Sequence, residues 1–217
     1  SDCRSGAACA CRASLRIHAS GRTADGDRVH AAGALGMPRA AVAVRVARSI
    51  DVVTFKRSFA PVVDDATRVL VLGSLPGEVS LAQGQYYAHR QNRFWHLMGD
   101  VIGVALPGME YEARLQALLD HRVGLWDVIA QAKREGSLDS RIHDHATNDL
   151  AALVAALPNL VAVAFNGGTA AKMGMQALAE SRVSLDLIKL PSSSPAYAAL
   201  PYAQKLRAWE ALRKWLV

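Results

Sequence analysis

A chain of 217 residues, 51% apolar and 20% charged, has room for one domain with a substantial core and an extension besides. It holds no run of eighteen apolar residues, and arginines interrupt the N-terminal segment where a secretory signal would need apolar ones, so a soluble, cytoplasmic protein with no membrane partner is the expectation. The net charge of +6 is lopsided: residues 1–57 carry ten Lys and Arg against four Asp and Glu, whereas residues 58–217 carry fifteen of each, so the basic balance says nothing about what the larger part binds.

The first 57 residues are rich in Ala, Arg, Gly and Ser and show little periodicity, which predicts a disordered or non-native basic extension, with Met37 as one place where a natural chain could start. A basic arm that adds non-specific nucleic-acid affinity is its functional alternative. All three cysteines, Cys3, Cys9 and Cys11, fall in this stretch. The domain expected over 58–217 therefore has neither a disulfide framework nor thiolates for an iron–sulfur cluster.

From there strands and helices alternate. RVLVLGS (68–74) is a short β-branched run ending in a glycine turn, and in FWHLMGDVIG (94–103) Phe94, Leu97, Met98 and Val101 share a helical stripe. YEARLQALLDH (111–121) predicts a helix and VGLWDVI (123–129) a second strand. NDLAALVAALP (148–158) opens on the capping residues Asn148 and Asp149 and stops at Pro158. LVAVAFNGG (160–168) reads as a buried strand, TAAKMGMQALAE (169–180) as a helix, VSLDLIKLP (183–191) as a fourth strand and AQKLRAWEALRKWLV (203–217) as a closing amphipathic helix. Apolar strands alternating with helices predict an α/β three-layer sandwich around a central four-stranded parallel sheet.

In such sheets ligands lie beyond the C-terminal strand ends, which singles out three loops. The first strand runs into GSLPGEVSLAQGQYYAHRQN (73–92), the third into NGGTA (166–170) and the fourth into PSSSPAYAALP (191–201). GSLPG and NGG are ordinary turn sequences, although exposed N–H groups at NGG could receive a phosphate or a base carbonyl. In PSSSPAYA, Pro191 and Pro195 stiffen a run of three hydroxyls that no core requires, though a plain connector would also use serine caps. Tyr86, Tyr87, Phe94 and Trp95 crowd one short segment of a chain only 6% aromatic, with Phe94 and Trp95 read as core on the following helix. His143 and His145, two apart, suit one face of a strand and give little support to a metal site; none is expected.

The blocks GSLPG (73–77), YYAHRQNRFW (86–95), LWD (125–127), GSLD (136–139), FNG (165–167) and LPSSSPAYA (190–198) together resemble the uracil-DNA glycosylase superfamily, in its hypoxanthine and mismatch-specific uracil/thymine branch. The resemblance implies a monofunctional DNA glycosylase that hydrolyses the N-glycosidic bond of a flipped, deaminated base, uracil or also hypoxanthine or xanthine, as a monomer acting on damaged DNA without a cofactor. Tyr87 then stacks on the base, in a pocket with Gly73, Ser74 and His89, the last being pocket wall or loop hydrogen bond. Asn92 matches the residue that orients water in the hypoxanthine branch, a task that Leu75 cannot perform at the position where mismatch-specific relatives carry Asn; its alternative is a helix cap. Asp139 is the second candidate for that water. The Asn166 amide suits a base edge, or simply a turn. Ser192, Ser193 and Ser194, with Pro195 and Tyr197, are expected to hold DNA phosphates or to fill the vacated stack. Arg90 departs from the family's usual proline.

Two rival classes stand beside this reading. A serine hydrolase could use Ser74 and His89, although GSLPG is not a G-x-S-x-G elbow and no acid partner is evident. A non-catalytic module that binds damaged DNA is the other.

Overall fold

The computed structural model describes residues 55–179 and 184–216. The expectations for residues 1–54, among them the cysteines and Met37, lie outside the described residues, as do 180–183 and 217 at the limits of three expected elements. In chain order the elements are β1 (Lys56–Arg57), β2 (Val69–Gly73), α1 (Glu78–Gln83), α2 (Phe94–Ile102), α3 (Tyr111–Asp120), β3 (Val123–Asp127), β4 (Ile129–Arg134), β5 (Ile142–Thr147), α4 (Leu150–Ala156), β6 (Ala162–Asn166), α5 (Gly168–Ala177), β7 (Asp186–Leu190), α6 (Tyr202–Glu210) and α7 (Arg213–Leu216). Single 3-10 turns occupy Leu106–Gly108 and Asp139–Arg141.

The central sheet is the expected one, four parallel strands in the order β3-β2-β6-β7. Alternate residues of β2 feed two cores, as the two-residue period of a strand requires. Val69 and Val71 pack with Phe94, Leu97, Met98, Leu118 and Trp209 beneath α2, α3 and α6. Leu70 and Leu72 pack with Val154, Phe165 and Ala171 beneath α4 and α5. Being covered on both sides, β2 and β6 are continuous apolar runs without a polar face. On α5, Gly174 lets the helix come close: a Cβ there would fall 2.3 Å from the Phe165 ring, so any side chain would force helix and strand apart. Among the described residues no helix is long and apolar enough to cross a membrane.

Three parts depart from expectation. VGLWDVI is not one strand, because the chain leaves the parallel sheet after Asp127 and continues into β4, which pairs antiparallel with both β1 and β5 in a separate three-stranded sheet. That sheet takes in Lys56 and Arg57, ahead of the boundary expected at residue 58. The loop after β2 contains the short helix α1, closed by Gly84 in the left-handed conformation. The closing helix is broken between Glu210 and Arg213 into α6 and α7.

The second sheet braces the loop after β2. Arg134, its side chain fully buried, donates to the carbonyls of Leu75 and Gly136, each at 3.1 Å, and to that of Pro76. Lys56 pairs with Glu78, and the Glu78 N–H donates to Ser137 Oγ at 2.9 Å. The loop that leaves the central strand is thus fixed from outside the central sheet.

Candidate active site

Parallel pairing sets the ends of neighbouring strands side by side. Gly73 closes β2 in register with Asp127 at the end of β3, and Asn166 closes β6 in register with Leu190 at the end of β7. Gly73 has no alternative residue there. A Cβ on it would lie 2.6 Å from Asp127 Oδ1 and 3.1 Å from the Tyr87 hydroxyl, so three segments distant in sequence converge on the space above one glycine.

Tyr87 reaches that point with a positive φ of 53°, a left-handed conformation that costs a non-glycine residue roughly 1–2 kcal/mol. Its neighbours hold it there: the Tyr86 N–H donates to the Tyr111 hydroxyl at 2.9 Å and the Ala88 N–H to Ser80 Oγ at 3.2 Å. The Tyr87 ring lies face to face on Phe94, with centroids 3.8 Å apart and planes at 14°. One face of the ring is therefore occupied by Phe94. The hydroxyl is buried beside the Asn166 side chain without a hydrogen bond of good geometry, and desolvation, with the Asp127 charge adding to it and Asn166 opposing, pushes its pKa well above the ordinary tyrosine value. Tyr86 is core, buried with Phe59 edge-on at 5.1 Å.

Asn92 stands just before α2, where its Oδ1 accepts from the Phe94 N–H at 3.0 Å. The amide oxygen thus closes a turn onto the first residue of the helix, whose N-cap is Arg93, while Nδ2 is the end not engaged there. Asn166 Nδ2 donates to Ser193 Oγ at 2.9 Å, and the Ser193 N–H donates back to Asn166 Oδ1 at 2.8 Å. The Ser193 carbonyl accepts from the Arg93 N–H at 3.0 Å. Ser193 therefore ties three loops together: that of Asn92, that of Asn166 and its own. Gly167, at φ 104°, makes room for Ser192, which would lie 3.1 Å from a Cβ placed there.

Ser193, grouped by sequence with the DNA contacts, is 1% exposed and faces inward, so in this structure it is a brace. Ser192 and Ser194 are half-buried, and Pro195 and Tyr197 are exposed. Tyr197 is held from behind by Lys205, whose Nζ donates to its carbonyl at 2.7 Å and sits 5.1 Å from its ring centre. Ser74 Oγ donates to Asp139 Oδ1 at 2.8 Å, and Arg134 lies 3.7 Å from the same oxygen. Burial raises the Asp139 pKa, opposed by the Ser74 hydrogen bond and the Arg134 charge. His89 Nδ1 accepts from the Gln91 N–H at 3.2 Å, a loop hydrogen bond. Ser74 and His89 are thus each engaged elsewhere, and the dyad that a serine hydrolase needs is not assembled.

Two residues of this region carried no role in the sequence reading. Arg134 reads as one more charge on a polar segment. Asp127 had a signal: a carboxylate inside the apolar run VGLWDVI, and Asp is almost never fully buried without a reason. It is 3% exposed and its Oδ2 has no partner. Among the described residues no three His, Cys, Asp or Glu side chains gather as metal ligands, and His143 and His145 lie exposed on β5. Two open clefts of about 450 and 480 Å³ are lined by other residues, the first by Arg93, His96, Asp100 and Tyr202 and the second by Val101, His121 and Arg213.

The family model of the uracil DNA glycosylase superfamily matches residues 60–213, and the chain belongs to that superfamily: it is a DNA N-glycosylase. Two relatives named hypoxanthine DNA glycosylase, from Methanosarcina barkeri and Methanosarcina acetivorans, are 47% and 46% identical to it over 112 residues, 52% of this chain and 71% of each relative. A solution NMR structure from Methanosarcina acetivorans, provisionally described as a uracil DNA glycosylase, matches with a TM-score of 0.66 at 38% identity, covering 75% of this chain and 99% of that one.

Proposed function

We propose that the chain excises hypoxanthine from DNA, and by the same edge uracil or xanthine, as a monofunctional, monomeric glycosylase of base-excision repair that flips the damaged nucleotide out of the stack. The observation that carries this reading is the cross-link made by Ser193, which holds the Asn92, Asn166 and serine loops in one rigid group beside Gly73 and Tyr87. The relatives named for hypoxanthine supply the base.

Hydrolysis of an N-glycosidic bond builds positive charge on the sugar and negative charge on the departing base. A polar amide suffices to orient water against such a sugar, and this is the role of Asn92, with Asp139 as the second candidate. Helix α5 starts at Gly168, two residues after Asn166, so the positive end of its dipole lies at the strand end where the leaving base gathers charge. The side chains given tasks in this reading, Tyr87, Asn92, Asp139, Ser192 and Ser194, carry no amine, which fits hydrolysis by water rather than by an imine-forming nucleophile. The free face of Tyr87 stacks on the base, and Ser192, Ser194, Pro195 and Tyr197 meet the DNA backbone or the gap left in the stack.

A panel of duplexes bearing one hypoxanthine, uracil, xanthine or mismatched thymine tests this. Hypoxanthine is expected to become an alkali-labile site, with no strand cleavage before alkali. Tight binding with every glycosidic bond intact would support a damaged-DNA-binding module instead.

A further inference from the structure

We propose that Lys205 is a positioning residue for excision from duplex DNA: from α6 its buried ammonium holds the Tyr197 carbonyl and lies against the Tyr197 ring, and so presents that ring to the base stack beside the lesion. The inference rests on the glycosylase reading above and concerns a residue to which that reading gives no task.

Lys205 is 5% exposed. Lysine is almost never buried to that degree unless it is paired, and among the described residues no carboxylate forms an ion pair with it. Its Nζ donates to the Tyr197 carbonyl at 2.7 Å and lies 5.1 Å from the centre of the Tyr197 ring, within reach of a cation–π attraction. Folding does not need this charge. Tyr197 is at the surface, where water is at hand for a freed carbonyl, and an apolar side chain of similar length would fill the space without an ammonium to desolvate. A buried charge kept against that cost calls for an explanation in what it holds.

What it holds is the far end of the serine loop. Residues four apart on a helix share a face, and from that face of α6 Trp209 Nε1 donates to the Pro191 carbonyl at 3.0 Å while Lys205 holds Tyr197, so the loop is strapped at both ends. Between the straps Ser193 is tied to Asn166 and Arg93, and the tip closes where the Tyr197 N–H donates to the Ser194 carbonyl at 3.1 Å. Trp209 and Ser193 are themselves buried, and their ties would serve a plain connector equally well. Of these three residues only Lys205 grips an exposed aromatic, 39% exposed in Tyr197. A ring already fixed in place meets the stack without losing side-chain entropy on binding. Single-stranded DNA has less stack to open, so the position of the ring matters to duplex substrate above all.

The test is single-turnover excision of hypoxanthine from duplex and single-stranded DNA by Lys205→Met, Tyr197→Ala and the double variant, with the melting temperature of each. Lys205→Met keeps an unbranched stem and drops the charge, so it should melt at or above the wild-type temperature. Its duplex rate should fall about tenfold and its single-stranded rate stay within about twofold of the wild type. Once Tyr197→Ala has removed the ring, Lys205→Met should add nothing to the duplex loss. Additive duplex losses, or equal losses on the two substrates, overturn the assignment. So does a Lys205→Met variant that unfolds or melts well below the wild type, because the ammonium is then structural. A salt slope of duplex affinity lowered by about one in Lys205→Met makes the ammonium a direct phosphate contact and overturns it too. Each of these outcomes leaves the glycosylase reading intact, whereas a wild-type protein that excises no lesion contradicts that reading and this assignment together.

Discussion

At the scale of single residues, the site combines a strained tyrosine with a buried carboxyl, and each has a measurable signature. Tyr87 is held at positive φ against Phe94, and the proposed stacking on a base would use the ring's other face. Stacking of a base on an aromatic is worth about 1–3 kcal/mol, so Tyr87→Ala should slow excision by roughly one to two orders of magnitude. Tyr87→Phe keeps the ring and should lose several fold at most; equal damage from both, in single-turnover assays, would assign the role to the hydroxyl instead. Asp127 bears on stability as well. Its pKa is raised from 3.8 to about 7 on folding, so between those values the folded state binds more protons than the unfolded one and stability falls as pH rises. The slope can reach about 1.4 kcal/mol per pH unit for one group. Asp127→Asn removes it, so the melting temperature of the variant relative to wild type should climb from acid to neutral pH and level off above about 7.

At the scale of elements, the small antiparallel sheet acts on the site through Arg134. Arg134→Leu leaves the Leu75, Pro76 and Gly136 carbonyls without their donor, and a buried group left unsatisfied costs about 1–3 kcal/mol. Thermal unfolding should show a loss of about 3 kcal/mol, and excision should fall with the loosened GSLPG loop; Arg134→Lys, with a point charge and no fork, should be intermediate. The elements legible in the sequence were those whose pattern is local. β2 and β6 are unbroken apolar runs, the stripe of α2 has helical spacing, and Asp149 caps α4 by accepting from the Ala152 N–H at 2.9 Å. β5, IHDHAT, is almost wholly exposed and has no apolar alternation, since it is made by pairing with β4. The six residues of α1 are too few to show a period. The site was legible as motifs, not as geometry. That Gly73 faces Asp127 follows from the register of β2 with β3, and that Ser193 turns inward follows from its bonds to Asn166 and Arg93. No sequence spacing encodes either contact.

At the scale of the whole molecule, the charge count separates the domain from what precedes it. The described fold contains one parallel sheet with helices on both faces, and residues 58–217 are charge-balanced. A protein starting at Phe55, which retains β1 and the Lys56–Glu78 pair, should fold and excise at the rate of the full chain, and lose only affinity for undamaged DNA at low salt. Loss of soluble, active protein on that truncation would place part of the domain in residues 1–54. The account turns most of all on Asn92, whose amide oxygen holds the first N–H of α2 and which is assigned the attacking water. The measurement that tests this most directly is the single-turnover rate of hypoxanthine excision by Asn92→Ala, taken with its melting temperature. The account predicts a rate about 10²–10³-fold below wild type, with the stability lowered by only about 1 kcal/mol for the lost cap. A variant that melts early yet excises hypoxanthine at the wild-type rate per folded molecule would contradict it, leaving Asn92 a helix cap and nothing more.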